Sequence, residues 1–257
     1  MPDKLKLTES RVQRFTQNVR DEYERATIIR EVIRWRERRP SDPFEFVQIG
    51  MRFRVGPETF VERYSAGSHY YSSEIFGLGR NIAIGEEKYL VKMLQKTIRN
   101  RRRTSLFSLS QVSHEIDSVN GLAPECVFIP IDFFTDLHSG DPANWNILHD
   151  GSKNYLLLGG RKLRVFWSNI YVPFKKWIFV DPELSEWIIA LDETTRHWVT
   201  VEVEPKNERS VSVLVKTMAC YHTIDPSAGL VLDVPMPRKV EHDKSGSSEG
   251  IHSYQKD

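Results

Sequence analysis

The side chains in this sequence that could do acid–base or metal chemistry are His114-Glu115, His197 and His222, with Asp192 or Asp225 as carboxylate partners. A histidine beside a carboxylate is the usual makeup of a general acid–base pair or of part of a metal site. The spacing does not support either. The sequence has no HExxH helix, no Gly-Lys-Ser phosphate loop and no Cys/His metal spacing. Gly77-Leu78-Gly79 is a lone GxG, and Arg80-Asn81 after it breaks the dinucleotide pattern. Cys126 and Cys220 are far apart and read as small buried apolar residues. Arg99, Arg101, Arg102 and Arg103 could hold phosphate, or could be the solvated, dipole-matched end of a helix. The expectation is a protein with no catalytic residues, no cofactor and no metal.

The elements around these residues are more informative. The stretch from 159 to 234 reads as β segments at 161–170, 176–180, 197–204 and 211–222, with a short run at 230–234. Val199, Val201 and Val203 lie among Thr200, Glu202 and Glu204, and Val211, Val213 and Val215 alternate with Ser212, Leu214 and Lys216. That period of two predicts an antiparallel hairpin with a charged tip at 204–209.

Upstream, Leu7, Val12, Phe15, Val19, Tyr23, Ala26, Ile29, Ile33 and Trp35 recur at intervals of three or four, predicting one amphipathic helix through 1–39 that Pro40 and Pro43 stop. Such a helix packs on its own domain or lies on a neighbouring subunit. The second is favoured, because little of its own domain adjoins it in sequence. Segment 44–79 reads as a two-stranded ribbon, with strands at 44–47 and 51–55, a turn at Gly56-Pro57 and a return at 60–64. A ribbon of this kind is marginal alone. Residues 85–103 predict the strongest helix and 108–119 a shorter one ended by Gly121. Cys126–Ile129 reads as a central strand, with a short helix at 132–137. Segment 139–155 reads as a polar loop, and 235–257 as a disordered tail.

The composition is that of an ordinary soluble domain: 257 residues, 40% hydrophobic and 28% charged. A formal net charge of +1 argues against a protein that holds nucleic acid mainly by overall charge. No apolar run approaches the roughly 20 residues that span a bilayer, and no hydrophobic signal core opens the chain, so no membrane partner and a cytoplasmic site of synthesis are expected.

The order of arm, long loop, long helix, helix–strand–helix and sheet resembles the Hong Kong 97-type shell fold of tailed-phage major capsid proteins. The resemblance covers about 44–234. Residues 84–104 are similar to the family's spine helix. Ala123-Pro124-Glu125-Cys126-Val127-Phe128-Ile129-Pro130-Ile131-Asp132-Phe133-Phe134 resembles its strand, proline and short-helix element. Leu158-Gly159-Gly160-Arg161 through Ser168-Asn169 and Pro173 resembles the strand that follows, and Ile224-Asp225-Pro226 through Leu232 its terminal turn and strand.

The resemblance implies an α+β fold with an N-terminal helical arm at 1–43 and an extended β-hairpin loop at 44–80. It places the spine helix at 81–104, a mainly axial domain at 105–196, a peripheral-domain hairpin and closing strand at 197–234, and a flexible tail at 235–257. The implied function is structural: self-assembly into an icosahedral shell that encloses phage DNA, in the virion and, during assembly, in the host cytoplasm. The implied partners are identical subunits in pentamers and hexamers, double-stranded DNA through weak inner-surface contacts, and a separate scaffold, portal or decoration protein. Subunit-interface candidates are Phe15, Trp35, Arg52, Arg54, Phe60, Arg63, Tyr70, Tyr71, Lys206, Glu208 and Arg209. Some members weld subunits through a loop lysine; 44–79 carries Arg52, Arg54 and Arg63 but no lysine, so that cross-link is not expected. Encapsulins share the fold and enclose enzymes, and are the alternative. An enzyme and a nucleic-acid adaptor acting through Arg99–Arg103 are the readings from other classes.

Overall fold

The computed structural model describes residues 7–61, 77–138, 146–168 and 170–236. Its architecture is two β-sheets with helices, so the fold is α+β: one buried cluster joins the first sheet to one side of the second, through Cys126, Phe128, Ile178 and Val180, and a second cluster gathers Val127, Ile129, Trp177 and Phe179.

The chain opens with α1 (Glu9–Ala26), followed by a single turn, α2 (Ile29–Val32), and a strand, β1 (Arg34–Glu37). The single helix expected through 1–39 is therefore corrected. Thr27 and Ile33 are extended, at ψ 134° and 160°. The β-branched run Thr27-Ile28-Ile29 favours leaving the helix, and β1 gains a parallel partner in β9 (Ser185–Ala190), with Trp35 opposite Trp187. Arg36 then holds Asp42 with two hydrogen bonds of 2.7 and 2.9 Å, which keeps that carboxyl down at about 2.

Next come β2 (Val47–Val55), a turn at α3 (Pro57–Thr59) and the long helix α4 (Leu78–Thr97). The helix starts earlier and stops earlier than expected. Ile98 turns extended and is buried, and the arginine run becomes β3 (Asn100–Arg103). It pairs parallel with β12 (Gly229–Asp233), so Arg101–Arg103 lie on a strand and not at a helix end.

Strands β1, β9, β11 (Ser210–Thr223) and β10 (Thr200–Asn207) form the first sheet, and β2 joins it through β11. Helix α4 covers its apolar face, with Leu90, Val91 and Leu94 buried in one cluster with Val211, Val213 and Val215.

The second sheet has the order β3-β12-β8-β4-β7-β6-β5, where β4 is Cys126–Ile129, β5 Ile147–Asp150, β6 Lys153–Leu158, β7 Arg161–Trp167 and β8 Lys176–Val180. Strand β4 is central and wholly buried, as its unbroken apolar run implies. Helix α5 (Leu109–Asp117) packs Val112 and Ile116 on this sheet. A 3-10 turn at Ile131–Phe133 leads into α6 (Phe134–Leu137), the expected short helix.

Strands β5, β6 and β9 also escaped the sequence reading. Where a polar loop was expected, β5 and β6 form a hairpin around Gly151, whose φ of 59° suits glycine. One face of it is apolar, with Ile147 opposite Leu156, while Leu157 points out. Among the described residues no helix is long and apolar enough to cross a membrane.

Candidate assembly surface

The strands β10, β11 and β2 form a ribbon with two different faces. Val201, Val215 and Met51 stand in one row, Val203, Val213 and Phe53 in the next, and Pro205, Val211 and Val55 in a third. These rows face the core under α4, except that Pro205 is exposed at the end of the third. The alternate rows face outward: Glu202, Leu214 and Arg52, then Glu204, Ser212 and Arg54. In these two rows the outer face has carboxylates along one edge, arginines along the other and the uncharged Leu214 and Ser212 between. Leu214 and Ser212 are nevertheless only 6% and 4% exposed, flanked by long side chains on either side.

Charge is tuned along this face. Lys216 pairs with Glu202 at 2.8 Å. The ammonium of Lys206 beside Glu204 lowers that carboxyl, with Arg52 adding a smaller pull. Among the described residues no strand pairs with the outer edge of β2 or of β10. Open edges that carry charged side chains resist random strand pairing while staying available to a matched partner. The hairpin tip is exposed at Lys206, Glu208 and Arg209, and Asn207 Oδ1 orders it by accepting from the Arg209 N–H and the Ser210 hydroxyl.

The remaining interface candidates divide. Trp35 is 44% exposed on β1 and packs edge-on against Trp198, with the Arg30 guanidinium 4.0 Å above the Trp198 ring. Phe15 and Phe60 are not on the surface. Their rings meet at 5.2 Å in the chain's own core, and Phe60 sits in the turn after α3, not on a returning strand. Arg63, Tyr70 and Tyr71 lie outside the described residues. Missed by the sequence reading are Ile170 and Phe174, 78% and 59% exposed on the turn between β7 and β8. Nothing in their residue types separates them from core positions; only the turn does.

The arm belongs to its own chain. Helix α1 packs Phe15, Val19 and Tyr23 against α4. The Glu22 carboxylate accepts from the Gly77 and Gly79 N–H groups, both at 3.2 Å, and so caps the first turn of α4 from another helix. The expectation that the arm lies on a neighbour because it lacks a partner at home is corrected. So is the view of 44–55 as uncovered, since β2 has nine residues in register with β11.

The candidate acid–base residues are dispersed. Asp192 and Asp225 serve as turn caps for Thr194-Thr195 and Ser227, which hold both below the usual carboxylate range. His114 is exposed on α5, His222 lies against Phe44 with ring centroids 4.4 Å apart and planes tilted by 38°, and His197 Nδ1 accepts from the Val199 N–H. Both cysteines are free and buried, and burial pushes the Cys126 thiol up to about 12.

No protein-family model matches this sequence, and no curated protein matches it either. Solved structures do match in shape. A virus-like particle from Pyrococcus furiosus superposes with a TM-score of 0.55 at 14% identity, covering 86% of this chain and 98% of that one. The holo-SrpI encapsulin complex from Synechococcus elongatus gives 0.57 at 10% identity, over 79% and 85%. Mycobacterium phage Che8 gives 0.49 at 16% identity, over 76% of each chain. The first two carry the assignment. The chain has the Hong Kong 97-type shell fold.

Proposed function

We propose that this protein is a structural shell subunit that assembles with identical copies, in pentamers and hexamers, into a closed icosahedral particle. The observation that carries the proposal is the superposition on the virus-like-particle subunit, which accounts for nearly all of that chain. The surface chemistry agrees. One face of the three-stranded ribbon sets arginines against carboxylates across its width, so a rotated copy meets opposite charge. Many such modest contacts, repeated over a closed shell, give a stable whole.

The contents proposed are double-stranded DNA, in a phage virion assembled in the host cytoplasm with a scaffold, portal or decoration protein. Arg101, Arg102 and Arg103, exposed side by side on the edge strand β3, supply a local basic strip despite a near-neutral chain. The second reading, a compartment enclosing a protein cargo, is favoured by the shape match to the encapsulin complex. Gradient-purified particles distinguish the two. Nuclease-protected DNA supports the virion, and a second, co-purifying protein without nucleic acid supports the compartment. A chain that sediments as a monomer under all conditions contradicts both.

A further inference from the structure

We infer that Asn120 is a modification site at which the chain deamidates itself, with the Gly121 nitrogen as the attacking group. Asn120-Gly121 is the one Asn-Gly pair in the sequence. It forms the turn that follows α5 and leads towards β4, and both residues are exposed. The Leu122 N–H closes that turn on the Val119 carbonyl at 3.2 Å, and Gly121 stands in third place at a φ of 77°. A Cβ built on Gly121 would meet nothing within 4 Å, so no neighbour shields the nitrogen from that side.

The step is an intramolecular acyl transfer. The Gly121 amide nitrogen gives up its proton to hydroxide and attacks the side-chain carbonyl carbon of Asn120. A carbon–nitrogen bond forms, the side-chain amide nitrogen leaves as ammonia, and a five-membered succinimide closes. Water then opens the ring at either carbonyl and leaves aspartate or isoaspartate. The net change is one water consumed and one ammonia released. Holding the two groups on adjacent residues makes the attack unimolecular. Glycine, without a Cβ, leaves the nitrogen accessible and gives the backbone the freedom that ring closure needs.

Two other asparagines show how the fold protects an amide. Asn100 Nδ2 donates to the Ser227 and Gly229 carbonyls, and Asn207 Oδ1 accepts from the Arg209 N–H and the Ser210 hydroxyl. Both are followed by large side chains, Arg101 and Glu208. Among the described residues no hydrogen bond holds the Asn120 amide. The product also matters to packing. Val119 and Leu122 on either side are buried in the second cluster, and isoaspartate lengthens the main chain between these two anchors by a methylene.

The test is peptide mapping by mass spectrometry of the full chain, incubated at mildly alkaline pH in the native state and, in parallel, in guanidinium chloride. The native chain is expected to convert Asn120 to aspartate and isoaspartate nearly as fast as the unfolded chain does, while Asn100 and Asn207 stay as amides. Isoelectric focusing of the native chain is expected to show an acidic shift with time that Asn120→Gln does not develop. An Asn120 that stays intact in the native chain while the unfolded chain loses it would overturn the site. So would conversion of Asn100 or Asn207 ahead of Asn120, or an equal acidic shift in Asn120→Gln.

Discussion

The Tyr23 hydroxyl donates to Glu86 Oε2 across 2.7 Å, joining α1 to the centre of α4, and Thr217 of β11 donates to the other oxygen at 3.0 Å. One buried carboxyl thus ties the N-terminal helix, the spine helix and the sheet together. Burial pushes it up from 4.5 to about 7, against the pull of the two hydroxyls. Over that interval the folded chain keeps a proton that the unfolded chain has released. Its contribution to stability is full below about 4.5 and is lost as pH rises through 7. Glu86→Gln, which removes the charge, keeps one accepting oxygen and turns the other contact into an amide donor, should flatten the decline in urea stability between pH 5 and pH 8 by roughly 2 kcal/mol. Glu87, also raised to about 7 by burial, leaves a residual slope. An unchanged slope in the Gln variant would contradict this account.

Helices α1 and α4 approach closely at Gly79. A Cβ there would lie 2.0 Å from the Val19 carbonyl oxygen and 2.5 Å from the Tyr23 nitrogen, both backbone atoms that cannot swing away. Gly79→Ala should therefore cost about 1–3 kcal/mol or more and part the helices. Faster limited proteolysis within 7–26, relative to the rest of the chain, is the readout.

Phe15 and Phe60 belong to the core, and the arginines of β2 to the surface, so their substitutions should separate stability from assembly. Phe60→Ala should lower unfolding stability by about 3 kcal/mol.

Arg52→Glu with Arg54→Glu should leave the thermal midpoint of the subunit nearly unchanged, since exposed charges contribute little to folding. Sedimentation should nonetheless show lost or salt-dependent assembly. A variant that assembles normally would remove the ribbon face from the interface.

Much of the fold was legible where a periodic pattern had one cause. The valines at 201, 203, 211, 213 and 215 each answer to a single buried face, and β10 and β11 form where they imply. Cys126–Ile129 is apolar throughout and is buried throughout. The reading failed where tertiary partners decided. Arg34–Glu37 continues a helical apolar stripe in sequence, yet pairs with β9, far along the chain. Asn100–Arg103 matches a helix end by charge, yet β12 draws it into a sheet. The sequence does not show that Glu22 caps a helix beginning more than fifty residues later.

The central claim is tested most directly by negative-stain electron microscopy of the overexpressed, purified chain. The account predicts hollow particles of uniform diameter. A monodisperse monomer that persists at high protein concentration, with no closed particles in any field, would contradict it.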